Sequence, residues 1–158
     1  MIEHVTNLDL GVTWEPNAPQ AILLTDDRGT AALALNAHHS DPSQHAVVVL
    51  WEGCLFRSMG SPNDEGISGH RLFSKGLDTV QWAGEVHHSD LIATLDQQSR
   101  VHPQHDPSKF LGSAHHIVLT KEVTVEVVAS SLSILRLPGT TVEAADEALR
   151  LQRRPSKA

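Results

Sequence analysis

A chain of 158 residues, 40% hydrophobic and 20% charged, has the size and composition expected of one soluble globular domain that buries its core without disulfide or metal staples. Net charge is −7, and since Arg150, Arg153, Arg154 and Lys157 follow residue 149 with no acid among them, the preceding residues carry −11. A body that acidic repels a phosphate backbone, and no apolar run approaches the ~18 residues of a membrane helix, so the expectations exclude nucleic acid and membrane as partners.

The opening "MIEHVTNLDLGVTWEP" has neither a basic stretch nor an apolar core of the signal-peptide kind. The lone Cys54 has no intrachain partner for a disulfide, so the expected location is the cytoplasm. In "VVVLWEGCLF" no basic residue adjoins Cys54 to hold a thiolate, and it reads as a small buried hydrophobe.

Along the chain, "AILLTDDRGTAALALNA" reads as two strands, near 20–25 and 30–37, joined by a turn at Asp26-Asp27-Arg28-Gly29. "AVVVLWEGCLF" reads as one continuous, central strand buried on both faces. Residues 58–79 show neither a strand nor a helix period. Ser61-Pro62 with Asp64 predicts at most one helical turn, ended by Gly66 and Gly69. "VQWAGEVHH" (80–88) predicts a strand with Trp82 and Val86 on one face and Glu85 and His87 on the other. Ser89 is placed to cap a helix running to about residue 100, with Leu91, Ile92 and Leu95 as its apolar stripe.

"AHHIVLT" and "VTVEVVA" predict a second hairpin across Lys121-Glu122. Thr140 and Glu143 have the spacing of a capping box, opening a last helix whose apolar face is Val142, Ala145 and Leu149. Six strands, a middle helix and a C-terminal helix predict an α+β fold with a largely antiparallel sheet built from hairpins. Residues 1–150 are read as one domain and 151–158 as a short basic tail.

Eleven histidines against no tyrosine and three phenylalanines is the unusual feature, and six of the eleven lie between positions 87 and 116. In "RVHPQHDP" (100–107), Pro103 predicts a turn over 102–105 that brings His102 and His105 close, with Asp106 beside them. A divalent metal such as zinc takes three or four ligands, so a further ligand is required, His115 first and His70 or His116 as alternatives. Strand parity lets only one of His115 and His116 contribute, and leaves open which. The competing reading is that these are structural or surface histidines. For acid/base work the candidates are Glu85 and Glu126, each inside an apolar strand, and His70 in the glycine-rich loop. No phosphate-cradling, dinucleotide-binding or nucleophile-elbow motif is present.

The ordered segments "SPNDEGISGHRLFSKGL", "GEVHHSDLIATL", "VHPQHDPSKF" and "AHHIVLTKEVTVEVVA" span roughly residues 58 to 130 and resemble a pattern in small bacterial proteins of no assigned activity. The resemblance covers Asn63, Asp64, Glu65, His70, Glu85, His102, His105, His115 and Glu126 and implies no particular chemistry for them.

Three functional expectations result. The first is a small-ligand-binding or accessory module with a histidine-rich pocket, which asks least of the residues. The second is a divalent-metal-dependent enzyme using His102, His105 and His115, with Glu85 or Glu126 as base. The third is a homodimer domain whose histidines make association depend on pH.

Overall fold

A computed structural model describes residues 1–154; the end of the basic tail, Lys157 included, lies outside the described residues. The fold is α+β with two antiparallel sheets, and it forms two compact units. One comprises Met1–Asp9 with Gly53–Ser131, the other Leu10–Glu52 with Leu132 onward. Among the described residues no helix is long and apolar enough to cross a membrane.

The second unit holds β2 (Ile22–Thr25), β3 (Ala31–Leu35), β4 (Ala46–Glu52) and β9 (Ser131–Leu137) in that order across its sheet, with α3 (Thr141–Arg153) packed on it. The expected first hairpin is present, its turn tied by Asp26, which accepts from the Arg28 and Thr30 amides at 3.1 and 3.0 Å. The Thr140–Glu143 capping box forms in full. The helix face differs from expectation in one residue. Val142 is exposed, and the sheet is met by Thr141, Ala144, Ala145, Ala148 and Leu149, whose small side chains let the helix approach Ala32, Ala34 and Val48 closely. The predicted tail at 151–153 continues this helix, and Arg153 pairs with Asp26 at 3.1 Å.

The first unit is a five-stranded sheet, β1 (His4–Asn7), β6 (Ala83–His87), β7 (Ala114–Leu119), β8 (Thr124–Ala129) and β5 (Phe56–Gly60) in spatial order, every pairing antiparallel. Directly opposed residues share a face, so Val5, Val86, His115 and Val128 line one face together with Ile117 and Glu126. That face carries a core in which Val5, Val86 and Ile117 meet Leu72, Leu77 and Val80. The three leucine and isoleucine side chains are each at most 1% exposed, worth about 1.5–3 kcal/mol apiece. Residues 67–79 are therefore no surface loop. Three short 3-10 turns (Ile67–Gly69, Phe73–Lys75, Leu77–Thr79) press two leucines onto the sheet, and the first follows a turn in which the Gly66 amide donates to the Asn63 carbonyl at 3.2 Å and ends at Gly69.

The run "AVVVLWEGCLF" is not one strand. Gly53 adopts φ +63°, where a Cβ would overlap Ser130, and the chain breaks there into β4 of one sheet and β5 at the edge of the other. Downstream, α1 (Asp90–Ser99) matches its expected bounds, and an unexpected second helix, α2 (Pro107–Leu111), starts within the proline-bracketed segment.

Gly76 fixes the 67–79 segment against β1: its φ is +112°, and a Cβ there would collide with the carbonyl oxygen of Val5. Gly76→Ala is expected to lower the unfolding free energy by about 2–3 kcal/mol in urea denaturation. Gly69→Ala, whose added Cβ meets nothing within 4 Å, is expected to change it by about 0.5 kcal/mol or less. Equal effects at the two positions would refute this packing.

Candidate functional site

The chain leaves β6 at His87, passes through His88 at φ +51°, and enters α1 at Ser89. Ser89 is the expected helix cap, its Oγ accepting from the Ile92 amide at 3.1 Å. The same oxygen lies 2.7 Å from Nδ1 of His115, a contact that the sequence did not reveal. His115 is fully buried, and its Nε2 is 2.9 Å from Oε1 of Glu126. Glu126 is 8% exposed and also receives a two-pronged contact from Arg71, Nη1 to Oε2 at 2.9 Å and Nη2 to Oε1 at 2.6 Å.

Charge decides the direction of each bond. Burial pushes the Glu126 carboxyl up, but the hydrogen bonds from His115 and Arg71 and the guanidinium charge outweigh it and hold the pKa at about 2. Glu126 is thus an ionised, acceptor-only group, and His115 Nε2 donates to it. When the ring is neutral its Nδ1 is an acceptor, and the Ser89 hydroxyl donates to Nδ1. The result is a directed chain from Ser89 to His115 to Glu126.

His70 joins from the first 3-10 turn. Its Nδ1 accepts from the Leu72 amide at 3.1 Å, so a neutral ring carries its proton on Nε2, which faces Glu126 Oε2 at 3.6 Å. Burial, aided by the Arg71 charge and opposed by Glu126, holds the His70 pKa below the ordinary imidazole value. A second buried acid, Glu3, accepts from Lys75 Nζ at 2.8 Å and from the Asp90 amide at 2.6 Å, tying β1, the 67–79 segment and the start of α1 together.

Of the residues singled out from sequence, Glu126, His70 and His115 are brought together. Glu85 stands on the opposite face of the sheet, opposite His116, whose pKa is lowered by burial against the pull of Glu85. The expected turn at 102–105 forms, with the His105 amide bonded to the His102 carbonyl at 3.1 Å, but its two rings have different surroundings. His102 is exposed and accepts from the Gln104 amide, whereas His105 is largely buried beside Phe110. Its Nε2 lies 2.8 Å from Asp96 Oδ1, but the two are not aligned for a hydrogen bond, leaving both buried without one. Asp106 is engaged in capping α2 through Ser108. Among the described residues no three His, Cys, Asp or Glu side chains are grouped to hold a metal ion, and His115 lies in a different cluster from His102 and His105.

Two cavities flank α1. One of about 530 Å³ is lined by Ser89, His115, Ile92, Ala93, Asp96 and Phe110 among others. The other, about 350 Å³, is lined by Phe56, Arg71, Asp90, Leu91, Thr94 and Glu126. The Ser89–His115–Glu126–Arg71 chain includes residues lining each. Arg71, Glu3 and Lys75 were not anticipated from sequence. The only signals were a cation adjoining His70 in "GHRLF" and an acid at position 3.

The shifted groups set an acid limit with two stages. His70 and His116 have lowered pKa values, so their contribution is complete above about pH 6.5 and declines as pH falls below it. The Glu126 contribution, about 3 kcal/mol, is complete above its ordinary 4.5 and is lost as pH falls toward 2. Urea denaturation from pH 7.5 to 3 is expected to show both declines, and Glu126→Gln is expected to shrink the lower one, to which Glu3 and other carboxyls with lowered pKa values also contribute, while costing about 3 kcal/mol at pH 7.5. A stability unchanged between pH 5 and 3 in the parent protein would contradict the ionised Glu126.

Compared with known proteins, the chain matches no family model, no curated protein and no solved structure.

Proposed function

We propose that the first unit binds a small organic molecule in the 530 Å³ cleft beside α1. The observation that carries this reading is the cleft's combination of size and lining. Its volume lies within the roughly 300–1,000 Å³ of small-molecule sites. Apolar surface from Val86, Ile92, Ala93 and Phe110 is joined by polar groups, the acids Glu85, Asp90 and Asp96 together with Ser89 and His115 foremost.

Ile92, which lines the cleft, supports the reading further. The apolar stripe of α1 is only half-buried, and none of the helix's residues is fully buried, so the helix offers apolar surface that folding has not used. Asp96 lines the cleft with its carboxylate paired to His105 Nε2 at 2.8 Å and to Arg100 Nη2 at 3.2 Å, so a ligand cation would share it with them. An acid at that position, in a protein of net charge −7, favours a compact ring or chain bearing an amine.

Ligand-observed NMR with a set of small aromatic amines at ~1 mM is expected to find binders. Ala93→Phe, which fills the cleft from an exposed helix position, is expected to abolish their binding with little change in melting temperature. Asp96→Asn is expected to weaken the amines about tenfold relative to matched neutral compounds. Binders that are indifferent to Ala93→Phe would place the site elsewhere and overturn the proposal.

A further inference from the structure

We infer that Ser89 is a nucleophile, with His115 as its base and Glu126 as the positioning residue behind it, and that the cleft cleaves small carboxylic esters. This rests on the binding reading above and adds a covalent step to it. The requirements of such a centre are geometric: a hydroxyl within hydrogen-bond reach of a base, the base oriented by a third group, and room for a reacting carbonyl. Ser89 Oγ to His115 Nδ1 is 2.7 Å, His115 Nε2 to Glu126 Oε1 is 2.9 Å, and Ser89 and His115 line the cleft. The three residues come from three different elements and are joined only by the sheet register and the β6–α1 turn. Residues needed only to cap α1 would not require the partnership of a fully buried imidazole and a buried carboxylate.

The chemistry balances without a co-reactant other than water. Ser89 Oγ attacks the ester carbonyl carbon as its proton passes to His115 Nδ1, and the oxygen of the carbonyl takes the negative charge. Collapse expels the alcohol, which receives that proton from Nδ1 and leaves an acyl-Ser89. Water, deprotonated by His115, then attacks the acyl carbon, and the acid leaves as Ser89 regains its proton. The Ile92 amide that donates to Ser89 Oγ favours the developing alkoxide, and the ten-residue α1 directs its positive end toward the carbonyl oxygen. Arg71 shares the Glu126 carboxylate in both prongs. Glu126 therefore fixes the ring's tautomer and plane more than it stabilises the imidazolium, and turnover is expected to be slow.

The test is covalent labelling of the full chain with a small alkyl fluorophosphonate, followed by intact mass and peptide mapping, alongside a p-nitrophenyl acetate assay for burst release. One adduct per chain on Ser89, with a p-nitrophenol burst of equal stoichiometry, is the expected result. Ser89→Asn keeps a good helix cap but has no hydroxyl, and is expected to fold with an unchanged melting temperature and to take no label. His115→Gln and Glu126→Gln are expected to slow labelling by ~10²-fold or more after correction for the folded fraction, and Glu126→Gln, which does not line the cleft, to do so at unchanged amine affinity. That split between rate and affinity separates a role in the reaction from a role in packing. A folded parent protein that binds amines in the cleft but takes no label at Ser89 would overturn the nucleophile and leave the binding reading standing. Label at Ser89 with no amine binding would support the nucleophile and redirect the search for its ligand.

Discussion

An ionised carboxylate buried in the first unit sets the terms for everything around it. Removing a charged group from water costs several kcal/mol even after relaxation, and Glu126 is tolerated because Arg71, His115 and His70 surround it. Those partners must be delivered by two distant parts of the chain. Arg71 and His70 come from the 67–79 segment, and His115 from the adjacent strand. The leucines of that segment, Leu72 and Leu77, hold it on the sheet by apolar burial, and Glu3 with Lys75 secures it to β1. Apolar packing and ion pairing thus specify the same placement of one segment, which is what a unique structure requires.

Buried ion pairs contribute little net stability compared with well-packed apolar groups of the same volume, so a network of this extent calls for a reason beyond stability. Its placement supplies one. The polar chain includes residues lining both clefts beside α1, Ser89 and His115 at the one and Arg71 and Glu126 at the other. Perturbed carboxyl and imidazole groups that share a cluster beside a cleft are the usual signature of a functional site rather than of a core. The proline-bracketed segment that holds His102 and His105, the most conspicuous feature of the chain, turns the backbone from α1 into α2.

What could be read in advance was local. The first hairpin, the Ser89 cap, the Thr140–Glu143 box and the turn at His102 each depend on residues within a few positions, and each is present. What could not be read depends on pairings between distant residues. Whether His115 or His116 faces Glu126 follows from the β7–β8 register, which parity alone leaves open. The division of "AVVVLWEGCLF" depends on a glycine whose positive φ makes room for Ser130, and an apolar run conceals it. The short edge strands β1 and β5 carry weak patterns of their own. Ser131–Leu137 is different: its partial alternation of polar and apolar residues is itself a strand pattern.

The two units also alternate along the chain, which passes from one to the other after Asp9, after Glu52 and after Ser131. On the ribosome this order has a cost. The first strand emerges long before its neighbour β6, since His4 pairs with His87, and three strands of the other sheet are made in between. Those three strands wait in turn for β9 and α3, which follow the first unit's strands in the chain. Neither hydrophobic core closes before β7 has been made, so a nascent molecule carries open sheet edges until then. Those edges must be kept apart from one another and from neighbouring chains until α3 has emerged.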